Sequence, residues 1–97
     1  MTTIAIIQAR MGSTRFPGKV MKELNGKPIL QHIVDFLKYS KMIDKVVIAT
    51  TDLKEDNIIN SFAKKLEIDC FRGSSDNVLE RFYKCAKKFH ANLILRL

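Results

Sequence analysis

A basic loop that contains glycine and hydroxyl side chains follows the first apolar run of the chain. The run ends at Ile7, and the residues that could bind a ligand continue to Lys19. They are Arg10, Gly12, Ser13, Thr14, Arg15, Gly18 and Lys19. Guanidinium and ammonium groups suit phosphate oxygens, and small residues let a ligand approach backbone N–H groups. The loop is neither a Walker A motif nor a dinucleotide-binding glycine fingerprint. Its composition predicts an oxyanion site, and the plain alternative is a solvated basic turn.

The positive charge of the chain is concentrated around this loop. The formal net charge of the 97 residues is +7. Residues 10–27 hold five basic side chains against Glu23 alone, and the rest of the chain holds the other 12 basic and 9 acidic side chains. A local excess favours a compact anion such as a triphosphate over a long polyanion. We therefore expect no nucleic-acid partner.

Composition and segment lengths predict a soluble cytoplasmic protein with no membrane partner. Apolar residues make up 46% of the chain and charged residues 28%, as in globular proteins. No apolar run approaches the roughly 20 residues of a membrane helix, and the N-terminus lacks the basic region of a signal peptide. Cys70 and Cys85 form no CxxC pair, and His32 and His90 have no metal-ligand spacing. The sequence therefore predicts buried thiols and no metal site within this chain.

Apolar runs and helical patterns alternate along the whole chain. Strands are predicted over residues 3–7, 45–49, 69–71 and 93–97. Helices are predicted to start at Pro28, behind a cap at Asp52, and near Asp76 or Asn77. Strands that are apolar on both faces belong to parallel sheets covered by helices on both sides. We expect one α/β domain over residues 1–97, an open parallel sheet truncated after its fourth strand.

Three segments follow the carboxyl ends of the predicted strands, where open parallel sheets bind ligands. They are residues 8–19, 50–52 and 72–77. In the second segment, Asp52 is expected mainly to cap the following helix, with Glu55 completing the capping box. In the third, an N-cap box from Asn77 to Glu80 is as probable as contact with a ligand.

The loop and its surroundings resemble the cytidylyltransferases that activate acidic and other sugars. The shared pattern A-R-x-x-S-T-R-x-P-G-K runs here from Ala9 to Lys19, and L-x-G-K-P runs from Leu24 to Pro28. The stretches VVIATTD (46–52) and RGSSDNVLERF (72–82) continue the resemblance, which is nearest to the spore coat polysaccharide branch. This family implies a Rossmann-like nucleotide-diphospho-sugar transferase fold. It also implies transfer of CMP from CTP to a sugar, with release of pyrophosphate, for surface polysaccharide synthesis.

The resemblance also implies roles for particular residues. Arg10 and Lys19 match the phosphate-contacting positions and are the predicted catalytic residues. The predicted nucleotide-binding residues are Ala9, Arg10, Ser13, Arg15, Lys19, Ser75, Asp76 and Asn77. Asn77 stands where the octulosonate enzymes have an arginine that helps to hold cytidine. The predicted border of the active site is Gln8, Thr51 and Asp52, with Gln8 in place of the proline of the octulosonate and neuraminate branches.

The resemblance implies Mg²⁺ as cofactor, with its aspartate ligand expected beyond residue 97. We therefore expect these 97 residues alone to be weakly active or inactive. The alternative is a non-catalytic nucleotide-binding or oligomerising module, in which the fourth strand pairs with another subunit. The resemblance covers the chain but less than half of the usual family length.

Overall fold

The computed structural model describes residues 2–12 and 18–96. The predicted nucleotide-binding residues Ser13 and Arg15, and the side chain of Lys19, lie outside the described residues. The strands are β1 Thr3–Gln8, β2 Glu23–Leu24, β3 Lys27–Pro28, β4 Lys45–Thr51, β5 Asp69–Gly73 and β6 Leu93–Arg96. The helices are α1 Ile29–Lys38, α2 Asn57–Lys65 and α3 Val78–Lys88, with short 3₁₀ turns at Lys19–Met21 and Lys54–Asp56.

Four of the strands form one parallel sheet in the order β5-β4-β1-β6. β1 lies in the interior of the sheet and pairs with β4 through Ile6 and Val47, and with β6 through Ile4 and Ile94. β4 pairs with β5 on its other side. The prediction of an open parallel sheet is confirmed, and it places the carboxyl ends of β1, β4 and β5 side by side.

Helices cover both faces of this sheet. On one face, α1 and α2 bury apolar side chains against alternate residues of β1 and β4. This cluster includes Ala5, Ile7, Ile48, Leu30, Val34, Ile59 and Ala63. On the other face, α3 packs Cys85, Phe82, Ala86 and Phe89 against Ile4, Ile6, Val47 and Ala49. Each fully buried aliphatic side chain contributes roughly 1.5–3 kcal/mol by leaving water. The strands are apolar on both faces because helices cover both.

The two cysteines are free thiols within this core. Burial raises the pKa of each from 9.0 to about 11, and for Cys85 the neighbouring Cys70 adds to the rise. Since a raised thiol pKa favours the protonated folded state, the free energy of unfolding should fall as the pH rises from 9 to about 11. At pH 9 we expect iodoacetamide to label both thiols more than tenfold more slowly in the native protein than in denaturant. Equal rates in the two states would contradict this assignment.

The segment before α1 contains a hairpin that the predicted elements lack. β2 and β3 pair in antiparallel register, Leu24 opposite Lys27, around a two-residue turn. The turn residues Asn25 and Gly26 both have positive φ, 54° and 83°. Asn-Gly is the preferred pair for such turns because both residues tolerate the left-handed region. The dipeptide was therefore a readable hairpin signal.

Two helices begin later in the chain than the sequence predicts. Pro28 pairs with Glu23 in the hairpin and has an extended ψ of 147°, so α1 begins one residue later. Asp52 does not cap α2, because a 3₁₀ turn at Lys54–Asp56 intervenes and α2 begins at Asn57. The backbone N–H of Asp52 instead donates to the carbonyl of Gly73, which joins β4 to β5.

Candidate nucleotide-binding site

Three loops meet at the carboxyl edge of the sheet because β1, β4 and β5 are neighbours. Ala9 N–H donates to Ala49 O at 3.0 Å, which extends the pairing of β1 and β4 past the strand end. Asp52 N–H donates to Gly73 O at 3.1 Å and does the same for β4 and β5. The structure thus brings the described predicted site residues to one edge, namely Gln8, Ala9, Arg10, Thr51, Asp52, Ser75, Asp76 and Asn77.

The two described ends of the basic loop, at Met11 and Gly18, are joined by a hydrogen bond. Gly18 N–H donates to the carbonyl of Met11 at 2.9 Å, which ties the two described ends of the basic loop to each other. Gly18 has φ of +71°, a conformation that a side chain would strain. Arg10 directly precedes Met11 and is exposed. The ion pairs found among the described residues do not involve it. Within residues 2–12 and 18–96, its guanidinium is therefore available to an anion.

Asp56 joins the first loop to the second. Its side chain is 1% exposed. One carboxylate oxygen accepts from Met11 N–H at 2.7 Å, and the other accepts from the hydroxyl of Thr51. The Thr51 hydroxyl oxygen in turn accepts from Leu53 N–H at 3.2 Å. A buried carboxylate therefore fixes where the basic loop begins, a role that no spacing pattern in the sequence indicated.

Arg72 holds the second loop from the side of β5. Its Nε donates to Thr51 O and its Nη2 to Leu53 O, both at 2.8 Å. Its Nη1 donates to Oδ1 of Asn57 at 2.7 Å. The planar guanidinium thus bonds two backbone carbonyls of this loop and the side chain of Asn57 together. These contacts span the segment between Thr51 and the start of α2 at Asn57.

The third loop is a turn that caps α3. Asn77 Oδ1 accepts from Glu80 N–H at 2.9 Å, which confirms the predicted N-cap. The reciprocal half of the predicted box is absent from the described contacts, because Asn77 N–H donates to Ser74 Oγ and Glu80 pairs with Lys84. Since Oδ1 is engaged, the amide NH₂ of Asn77 is the group left for a ligand.

We expect Asn77→Ala to lower the free energy of unfolding by about 1 kcal/mol, because Glu80 N–H loses its acceptor. Asn77→Ser keeps an oxygen at the N-cap and should retain most of the stability. Urea unfolding curves of the two variants would measure the difference. Equal losses in both variants would show that the cap bond contributes nothing.

Arg81 is the site residue that the sequence analysis missed. It lies on the buried face of α3 and is 2% exposed. Its Nη1 donates to Ser74 O at 2.8 Å and its Nη2 to Oε1 of Gln8 at 2.9 Å. Burial lowers the pKa of Arg81, the charge of Arg10 lowers it further, and Asp56 acts in the opposite direction. The available signal was an arginine four residues before Cys85, on the stripe that faces the sheet.

The described carboxylates near the basic loop are Asp56 and Glu55. Mg²⁺ takes oxygen ligands in octahedral geometry. Both oxygens of Asp56 already accept hydrogen bonds, and Glu55 is the other carboxylate placed against the loop, beside Gly12. Over residues 2–12 and 18–96, no group of three or more His, Cys, Asp or Glu side chains could hold a metal ion. The expected Mg²⁺ therefore stays a prediction.

The family model described as "Cytidylyltransferase" matches residues 4–97. The chain belongs to the cytidylyltransferase family. Within the described part of this cytidylyltransferase chain, no helix is long and apolar enough to cross a membrane.

Relatives of known name span more than this cytidylyltransferase chain. Spore coat polysaccharide biosynthesis protein SpsF of Bacillus subtilis (strain 168) is 42% identical over 96 residues, which are 95% of this chain and 40% of SpsF. A solved cytidylyltransferase from Leptospira borgpetersenii serovar Hardjo-bovis (strain JB197) matches with a TM-score of 0.93 and 38% identity, over 100% of this chain and 41% of that one. The chain therefore spans about two-fifths of these relatives.

A more distant solved structure shows the same fold. The CMP:2-keto-3-deoxy-manno-octonic acid synthetase, solved in complex with CTP, matches with a TM-score of 0.80 and 24% identity. The match covers 100% of this chain and 39% of that one. These likenesses confirm the predicted Rossmann-like fold class.

Proposed function

We propose that the protein transfers CMP from CTP to a sugar and releases pyrophosphate, in the cytoplasm and for surface polysaccharide synthesis. The observation that carries this proposal is an exposed Arg10, without an ion-pair partner among the described residues, at the carboxyl end of an interior parallel strand in a chain of the cytidylyltransferase family. The family supplies the reaction type, and the likeness to SpsF supports the polysaccharide role.

The basic loop would neutralise the triphosphate. Attack at the α-phosphate develops charge on the departing pyrophosphate, and cations that are fixed in advance stabilise that charge most. Arg10 is anchored on the sheet by the neighbouring Ala9–Ala49 hydrogen bond. Lys19 follows Gly18, whose tether to Met11 closes the loop. We propose that these two side chains hold the phosphates, with Ser13 and Arg15 as further donors.

The base would lie nearer the turn at residues 73–77. Ala9 N–H already donates to Ala49 O, so the carbonyl oxygen of Ala9 is the backbone group left for a base. Asn77 offers its amide NH₂, a donor that suits the acceptor edge of cytosine. Ser75 is half-buried and Asp76 is exposed beside it, so both flank the same position. This arrangement supports a preference for CTP, while the sugar is left open.

Pyrophosphate release tests this proposal. The protein is incubated with a sugar panel and each of the four nucleoside triphosphates, with Mg²⁺ present. We expect release with CTP to exceed release with UTP, ATP and GTP. Because the relatives are longer, the assay is run both on this chain and on the chain within a protein of the relatives' length. Equal release with all four nucleotides in the longer protein would overturn the assignment of CTP.

A second candidate is a non-catalytic nucleotide-binding or oligomerising module of the same fold. The groove between α3 and β6 carries exposed apolar side chains, with Leu79 at 72%, Tyr83 at 62% and Ile94 at 37% exposure. Such a surface beside an edge strand favours pairing with another chain. Analytical ultracentrifugation with and without CTP distinguishes the candidates, since a ligand-independent oligomer that binds no nucleotide would favour the second.

A further inference from the structure

We infer that Arg81 and Gln8 form a buried electropositive pair that, with Arg10, attracts the phosphate groups of the nucleotide. The inference rests on the proposed function, because it places these residues at the same site. It goes further in making Arg81 a positioning and charge-supplying residue rather than a structural cross-link alone.

In the described part of the molecule, no carboxylate forms an ion pair or hydrogen bond with Arg81, and Asp56 acts on it only through its charge. Both hydrogen bonds of Arg81 go to neutral acceptors, the carbonyl of Ser74 and the side-chain amide of Gln8. The ion pairs found among the described residues join Lys27 to Asp35, Lys45 to Asp69 and Lys84 to Glu80, and leave Arg81 out. A buried charge without a counter-ion is costly. The free protein therefore holds positive charge that an anion would offset.

The unsatisfied atoms around Arg81 are donors. Among the described residues, Arg81 Nε and Gln8 Nε2 are buried without a hydrogen-bond partner. Arg81 fixes the orientation of the Gln8 amide, because Nη2 of Arg81 donates to Oε1 of Gln8. The NH₂ group of Gln8 is then without an acceptor among the described residues. Two spare donors beside two guanidinium groups favour acceptors with negative charge, because charge-assisted hydrogen bonds are the stronger ones.

An oligophosphate fits this requirement better than a single carboxylate. Arg10 lies close enough to Arg81 for its charge to act on it, so the two like charges repel in the free protein. A triphosphate brings several negative charges to one place, whereas one carboxylate would leave part of the repulsion. Arg81 also links Gln8 at the end of β1 to Ser74 in the turn before α3, so its charge lies between the loops that follow β1 and β5.

Gln8→Glu separates a charge role from a structural one. A glutamate carboxylate in place of the amide oxygen would pair with Arg81, which neutralises the buried charge and should raise the melting temperature of the free protein. The same change removes a spare donor and places negative charge at the site. We therefore expect affinity for CTP and for inorganic tripolyphosphate to fall at least tenfold, although the fold becomes more stable.

Arg81→Met removes the charge while keeping an apolar stem, and Lys87→Met is the matched control. All three substitutions lower the net charge by one, and Lys87 is an exposed residue of α3. Calorimetric titrations with CTP and with tripolyphosphate measure affinity, and melting curves without ligand measure stability. We expect Arg81→Met to weaken both ligands at least tenfold and Lys87→Met to change them less than twofold.

The outcomes separate this inference from the proposed function. If the unmodified protein binds CTP, and Gln8→Glu is stable and binds both ligands with unchanged affinity, Arg81 is structural and the inference is wrong. If the Arg81→Met variant does not fold, the affinities of the Gln8→Glu variant for the two ligands test the inference on their own. If CTP binding weakens but tripolyphosphate binding does not, the pair serves the nucleoside and the phosphate assignment is overturned. If the unmodified protein binds neither ligand, the proposed function itself fails, and the inference fails with it.

Discussion

Replacing Arg10 with alanine is expected to lower kcat/KM for nucleotidyl transfer by about 30- to 1000-fold. This corresponds to roughly 2–4 kcal/mol of lost transition-state stabilisation, which overlaps the roughly 2.7–4 kcal/mol lost when one fixed donor to a developing oxyanion is removed. Arg10 is exposed at the carboxyl end of an interior strand and is unpaired among the described ion pairs, so its charge is available to the leaving pyrophosphate. Steady-state kinetics with CTP measure the effect. The same loss is predicted for Lys19→Ala.

Lys41→Ala is the control for Arg10→Ala. Lys41 is also an exposed cation, but it lies between α1 and β4, at the opposite edge of the sheet. Its removal lowers the net charge equally and should change kcat/KM less than twofold. If both variants lose activity equally, the effect belongs to the overall charge. If Arg10→Ala keeps its kcat/KM, Arg10 is outside the active site.

Asp56→Ala is expected to lower the free energy of unfolding by about 2–4 kcal/mol. The substitution leaves Met11 N–H and the Thr51 hydroxyl without their buried acceptor, and each unsatisfied group costs roughly 1–3 kcal/mol. It should also weaken CTP binding, because the start of the basic loop loses its anchor. Urea unfolding at pH 7 measures the first effect, and calorimetric titration measures the second.

Two variants define the specificity of the Asp56 effect. Asp52→Ala removes an exposed carboxylate of the same loop and should cost less than about 0.5 kcal/mol, as surface substitutions usually do. Asp56→Asn keeps an oxygen for Met11 N–H and should recover part of the loss. A destabilisation by Asp52→Ala as large as that by Asp56→Ala would contradict the role of Asp56 in joining the first loop to the second.

The sheet and its covering helices could be predicted because they depend on local patterns. Residues 3–7 and 45–49 are apolar on both faces, which is typical of strands covered on both sides, and the structure extends them to Gln8 and Thr51. The N-cap at Asn77 was also readable, because it involves residues three positions apart. The hairpin at Asn25–Gly26 had an equally local signal, the Asn-Gly dipeptide itself.

The buried polar junctions could not be predicted in the same way. Asp56 bonds a residue 45 positions away, and Arg81 bonds one 73 positions away. Such partners become neighbours only when the strand order brings three loops to one edge. The sequence shows the residue types, but not that Asp56 and Arg81 point inward. The contacts of the loop at Asp52 are equally distant in sequence, because Arg72 bonds the carbonyls of Thr51 and Leu53 on either side of it.

Backbone amide chemical shifts on addition of CTP test the central claim most directly. The account places the nucleotide at the carboxyl edge of the sheet, against the loops that follow β1 and β5. With ¹⁵N-labelled protein, we predict concerted shifts at Met11, Gly18 and Asn77 on titration with CTP. The amides of Asp44 and Glu67, at the amino edge, should not move. Shifts confined to the amino edge, or none at saturating CTP, would contradict the account.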